Sequence, residues 1–206
     1  VTVLAVLAGY LIGSIPTGFL IIRFLRGIDI RTVGSGNIGA TNVYRVAGLP
    51  VALLVLLIDA LKGAVPVLLA RAIAAPPWGE VLAGLAAIIG HNWSAFMRFA
   101  GGKGIAASFG VLAALSPVAA GAALAVWLIV AATTRYASLA SILAMAAVPL
   151  VMGVRREPGD HLAFGGLALV FAVYRHRLNI ARLRAGTELR IMGSPRNGTA
   201  RRTRGA

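Results

Sequence analysis

Cysteine is absent from the 206 residues. A disulfide, a thiolate metal site and a thioester-forming nucleophile are therefore excluded. Acidic residues are scarce as well, six against twenty lysines and arginines, for a net charge of +14. So few carboxylates argue against a carboxylate metal site, and neither a metal nor another cofactor is expected. GxSxG, HExxH and HxxxxD patterns do not occur. Charged residues of both signs make up 13% of the chain and hydrophobic residues 59%. Soluble domains run nearer 45–50% apolar, and the mean hydropathy here is +0.86. The composition is that of an all-α polytopic membrane protein with room for one compact domain.

Apolar runs cover 3–22, 50–70, 80–97, 104–115, 117–133, 137–154 and 161–174. The first lacks the basic flank and short core of a signal peptide and reads as a first transmembrane helix. The stretch 104–133 is long for one span, and Ser116-Pro117 at its middle has the chemistry of a turn and helix start. Seven transmembrane helices, some short, are expected. Seven spans with the basic C-terminal end inside put the N-terminus outside. Arg23, Arg26, Arg31, Arg45, Arg98, Lys103 and Arg135 then face the cytoplasm, whereas the outside loop 155–160 is neutral. All the glycine-rich polar loops fall on that cytoplasmic side. Residues 1–190 form the expected membrane domain, and 191–206 a basic, disordered cytoplasmic tail. Nine of the twenty basic residues lie in 175–206. On a soluble protein they would suggest nucleic acid. Beside seven apolar runs they point to anionic membrane lipid, and no nucleic-acid partner is expected.

Four polar segments stand out. In 31-RTVGSGNIGATNVYR-45, Ser35 has the chemistry of a helix cap, and Gly34, Gly36 and Gly39 let backbone approach a ligand closely. Asn37, Thr41 and Arg45 share a helical face at i, i+4, i+8. Such a donor set without an acid suits phosphate. A capped turn with glycines for packing fits equally well. Gly101-Gly102-Lys103-Gly104 can form an anion-binding nest with a point charge, but lacks the spacing of a nucleotide-binding loop. A tight basic interhelical loop is the alternative. In 135-RYASLAS-141, Arg135, Ser138 and Ser141 share a face, although membrane-helix serines more often pack than bind. In 175-RHRLNIARLRAGTE-188, His176, Asn179 and Arg182 form a stripe; Arg175, Arg177 and Arg184 read as headgroup contacts. Asp59 and Lys62, one turn apart inside the second run, are each other's natural partner, as a structural or a catalytic pair. His91 reads as a hydrogen-bonding helix residue.

Together these stretches resemble the bacterial membrane-integral acyl-phosphate:glycerol-3-phosphate acyltransferases of phospholipid synthesis. The resemblance rests on GSGNIGATNVYR at 34–45, DALKG at 59–63, GH at 90–91, GGKGIA at 101–106, RYASLAS at 135–141 and HRLNIARLRAGTE at 176–188. Ser94 departs from the pattern, standing where the family usually has proline, and a local change in the helix end is expected there. The resemblance implies a bacterial inner-membrane enzyme with a cytoplasmic-facing site and two substrates, acyl phosphate and glycerol 3-phosphate. Transfer to the 1-hydroxyl would give lysophosphatidic acid and phosphate. It also implies that Ser35, Thr41, Arg45, Lys103, His176 and Asn179 line the phosphate sites. Gly36, Gly39, Gly102 and Gly104 would supply backbone donors, and Asn37, Asn42, Ser138 and Ser141 complete the substrate-binding set. Lys103, Arg45 and His176 are the expected catalytic residues. The proton acceptor is either His176 or an oxygen of the bound acyl phosphate. An anion transporter and a structural lipid-binding protein could use similar loops; the lack of an inverted repeat weakens the transporter.

Overall fold

The computed structural model describes residues 1–191, and over them the chain folds into ten α-helices and two 3-10 turns. Apart from Ile191, the expected basic tail lies outside the described residues. The helices are α1 Thr2–Ser14, α2 Thr17–Arg26, α3 Ala40–Ala47, α4 Leu49–Ala72, α5 Pro77–Asn92, α6 Ile105–Leu115, α7 Pro117–Thr134, α8 Ala137–Val154, α9 Gly159–Arg175 and α10 Arg177–Arg184. Four stretches are long and apolar enough to cross a membrane: Thr2–Arg26, Leu49–Ala72, Pro117–Thr134 and Ala137–Val154. The outward face of α4 exposes Leu53, Leu54, Leu56, Leu57, Leu61 and Leu68. A stripe of that size is at home against hydrocarbon and not against water. The chain is a multi-pass membrane protein.

Each apolar run becomes helix, with two departures. The first is broken at Ile15-Pro16, between α1 and α2, because proline removes a backbone donor and crowds the preceding turn. The third ends at Asn92, five residues short of its apolar limit, and a 3-10 turn follows over Ala95–Met97. The split at Ser116 is present: Pro117 opens α7, and Ser116 Oγ accepts from Ala119 N at 3.4 Å.

Small residues set the helix contacts. Gly13 of α1 lies against the backbone of Ala87 in α5, and Gly63 of α4 against that of Ala107 in α6. A Cβ at either glycine would overlap main-chain atoms. This is the close approach that packs helices where solvent offers no hydrophobic drive between them. A second layer packs α7, α8 and α9 around Met145, Val148, Met152 and Phe164, all fully buried.

The polar loops gather at two ends of the bundle. At one, Arg71 pairs with Glu80 at 2.7 Å and donates to Ala114 O at 3.1 Å, while Ser116 Oγ donates to Glu157 Oε1 at 2.6 Å. At the other, the segments 31–45, 101–104, 135–138 and 175–191 meet.

Candidate active site

The loop before α3 is held by one side chain. Asn42, 1% exposed, accepts from Ser35 N at 2.8 Å through Oδ1. Its Nδ2 lies 3.0 Å from Val33 O, 2.9 Å from Asn37 O and 3.3 Å from Ile30 O. With both ends of the amide occupied, Asn42 holds the loop together. Ser35 is no helix cap either: α3 starts at Ala40 with Gly39 at the cap position. Its hydroxyl makes no hydrogen bond among the described residues, and Ser35 lines a cleft. Because α3 begins after Asn37, the expected shared face of Asn37, Thr41 and Arg45 does not form. Asn37 bends back instead, its Oδ1 accepting from Gly39 N at 2.8 Å.

That cleft, of about 200 Å³, is lined by Ser35, Gly36 and Asn37 from the first loop and Gly101 and Lys103 from the second. Arg175 ends α9 beside it, and Arg177, Leu178, Asn179 and Arg182 project from α10. Among the described residues four cations face the space and no acid lines it. Lys103 Nζ donates to Asn179 Oδ1 at 2.6 Å. Burial brings the lysine down to about 8, with Glu188 opposing the shift and the neighbouring arginines adding to it. Arg175 is no headgroup contact. Its guanidinium donates to Gly102 O at 2.6 Å and to Gly101 O at 2.9 Å, and it stacks over Trp93. These bonds hold the glycine loop against α9.

His176, 2% exposed, sits at the α9–α10 junction. Its Nδ1 lies 2.8 Å from Ala172 O. A carbonyl can only accept, so Nδ1 carries the proton and Nε2 the lone pair. Burial and then the Lys103 charge push this imidazole down to about 4, so it is neutral near pH 7.

Three expected backbone donors are corrected. The N–H of Gly36 donates to Val33 O at 3.0 Å, that of Gly39 to Asn37 Oδ1, and that of Gly102 to His91 O at 3.0 Å. These groups close turns. Gly104, with φ +76°, is the residue before α6. Arg45 reaches past the cleft to Arg190 O at 3.0 Å. Thr41 lies on the first turn of α3, outside the residues lining the cleft. Ser138 Oγ donates to Glu188 Oε1 at 2.8 Å. Ser141 is spent on packing: its hydroxyl donates to Ala137 O at 2.7 Å and accepts from Trp127 Nε1 at 3.1 Å. Arg135 does not share a face with these serines, because it caps α7 in the left-handed region before α8 begins.

Glu188 went unassigned in the sequence. Its carboxylate accepts from Asn179 Nδ2 at 2.6 Å, Arg182 Nε at 2.8 Å and Ser138 Oγ. Burial raises this carboxyl, but those three bonds outweigh it and hold it below the ordinary range. The signal was available: Glu188 is the lone acid in a stretch of nine cations. Ser94, expected to alter the helix end, is buried after α5 and donates through Oγ to Ser14 O, a bond proline could not make.

A family model described as glycerol-3-phosphate acyltransferase matches residues 3–186. A glycerol-3-phosphate acyltransferase of Desulforudis audaxviator is 52% identical over 189 residues, 92% of this chain and 95% of that protein. The crystal structure of PlsY (YgiH), an integral membrane glycerol 3-phosphate acyltransferase in its glycerol 3-phosphate form, superposes with TM-score 0.88. That structure is 41% identical, and the match covers 93% of this chain and 96% of the other. Its lysophosphatidic acid form gives 0.86 at 40% identity. Matched along nearly its whole length by the family model and by these enzymes, the chain belongs to the glycerol-3-phosphate acyltransferase family.

Proposed function

We propose that this enzyme transfers a fatty acyl group directly from acyl phosphate to the 1-hydroxyl of glycerol 3-phosphate, at the cytoplasmic face of a seven-span bundle. The cleft carries the reading: Lys103, Arg175, Arg177 and Arg182 face one small space whose lining holds no acid. Both substrates bring a phosphate, and charge-assisted contacts from lysine and arginine are the strong way to hold two such groups together. The relative's glycerol 3-phosphate and lysophosphatidic acid forms support the acceptor and the product. The acyl chain would remain in lipid, since the cleft opens at the end of an apolar bundle.

In the step proposed, the glycerol hydroxyl oxygen attacks the acyl carbonyl carbon, the carbonyl–phosphate C–O bond breaks, and phosphate leaves with the electron pair. Lys103 and the arginines neutralise charge that grows on the leaving phosphate. The hydroxyl proton goes to a phosphate oxygen of the donor. His176, held near 4, keeps a proton poorly at neutral pH, and at 2% exposure it lies outside the residues that line the cleft. The chain has no cysteine, and no base sits in hydrogen-bond reach of the Ser35 hydroxyl among the described residues, so nothing activates a serine nucleophile. The bilayer is the bacterial inner membrane, with the N-terminus outside and the C-terminus in the cytoplasm.

The test uses purified protein with acyl phosphate and glycerol 3-phosphate. Lysophosphatidic acid and phosphate should appear one for one. Quenching with labelled acyl phosphate alone should leave the protein mass unchanged. An acyl adduct formed and discharged at the turnover rate would overturn direct transfer. Product made only from thioester donors would overturn the choice of donor.

A further inference from the structure

Asp59 at 2% exposure, Lys62 at 5% and His91 at 4% lie together inside the bundle and outside the cleft lining. Charges in such a place are costly unless they do something. Asp59 Oδ1 and Lys62 Nζ of α4 form an ion pair at 2.8 Å. Lys62 Nζ also donates to Ile15 O at 2.7 Å, at the Pro16 break between α1 and α2. One ammonium thus ties α4 to the joint from which α2 leads into the first polar loop.

His91 stands in the last turn of α5. Its Nδ1 makes no hydrogen bond among the described residues and faces Asp59 Oδ1 across 3.9 Å. The carboxylate favours a proton on that nitrogen, which turns the lone pair of Nε2 the other way. There it meets Gly102, where any Cβ would overlap the imidazole. A Cβ at Gly101 would collide with the His91 carbonyl, and that carbonyl accepts the Gly102 N–H at 3.0 Å. The loop therefore rests on His91 through both ring and backbone, and Lys103 is the next residue along.

We propose that Asp59, Lys62 and His91 are positioning residues: a buried support that sets the place of the Gly101–Gly104 loop from inside the bundle, and hence that of Lys103. The consequence for substrate affinity rests on the reading of that loop as a phosphate site. His91 is no proton carrier for the reaction, because Gly102 seals its Nε2 edge. The cost of burying a charged pair is offset by a loop that stays in place while its glycines provide no side-chain packing of their own.

The absence of cysteine permits a clean test. Ala100 is exposed beside the loop, so Ala100→Cys supplies a single reporter for a water-soluble maleimide. It is combined with His91→Ala and, separately, with the double variant Asp59→Asn/Lys62→Met. The double variant removes both charges together and leaves neither unpaired, so it remains informative if a single change prevents folding. Val148→Ala, a cavity change in α8, controls for lost stability. We expect several-fold faster labelling of the reporter in both support variants and not in the control. KM for glycerol 3-phosphate should rise about tenfold with a smaller change in kcat. Labelling and KM both unchanged in the folded double variant and in His91→Ala would overturn the inference. Faster labelling with unchanged KM would uphold the support and sink the phosphate reading of the loop. Lys103→Ala should raise KM without altering the reporter.

Discussion

Lys103 Nζ donates to Asn179 Oδ1 at 2.6 Å, across 76 positions of sequence. Asn179 passes the contact on, since its Nδ2 donates to Glu188. The loop between α5 and α6 and the short helix α10 are thereby joined into one polar wall, with the Ser35, Arg177 and Arg182 side chains around the same space.

On the proposed reading of the cleft, Lys103→Ala removes a charge-assisted contact to phosphate. The expected loss in kcat/KM is about 10- to 150-fold, or roughly 1.5–3 kcal/mol. Arg184→Ala, an exposed change on α10 outside the cleft lining, should cost far less. Steady-state kinetics at fixed lipid composition decide it: equal losses would mean that general surface charge, and not a defined site, holds the substrate.

Affinity should depend on pH through the same lysine. Burial lowers Lys103 to about 8, so its contribution is complete below that value and is lost as pH rises through it. A phosphate monoester loses its second proton near 6, so tightest binding falls between about pH 6 and 8. Lys103→Arg stays charged throughout and should erase the alkaline rise in KM while changing geometry. An alkaline limb that survives in this variant would assign it elsewhere.

Glu188→Gln keeps the shape and removes the charge that Asn179, Ser138 and Arg182 share. The segment after α10 should loosen, with a stability loss of about 1–3 kcal/mol. Thermal unfolding in detergent, run beside Glu80→Gln at the opposite end of the bundle, measures the difference. Because the Glu188 pKa is lowered in the fold, the stability it contributes is present above the ordinary carboxylate range and disappears as pH falls through the folded value.

Sidedness can be read with single cysteines at Ala100, Arg190 and Glu157. The first two should label from the cytoplasm only and the third from the outside only. Labelling of Ala100 and Arg190 from opposite faces would sink the seven-span arrangement.

Hydropathy alone determined the apolar runs, because a bilayer accepts little but apolar helix; each became helix, although Pro16 divides the first and the third stops at Asn92. The Ser116-Pro117 split was legible for a local reason: a capping hydroxyl followed by a residue that can only open a helix. The motifs GSGN, GGKG and HRLN were legible as basic, acid-poor polar segments, for which a phosphate cradle and plain capped turns or basic loops both remained open; their meeting at one end of the bundle is decided by the fold. Partner choice was not legible. Asn42 and Ser141 have the chemistry of ligands, and only the folded backbone shows that their hydrogen bonds are already taken. The same holds for the N–H groups of Gly36, Gly39 and Gly102. Arg175 passed for a headgroup contact because its carbonyl partners lie 73 and 74 positions away; of the Glu188 partners, Asn179 and Arg182 are 9 and 6 positions off and only Ser138 is distant, at 50. Sequence carries residue type and local period; which donor meets which acceptor across the bundle is decided by helix packing, where a glycine against a backbone brings distant loops within hydrogen-bond distance.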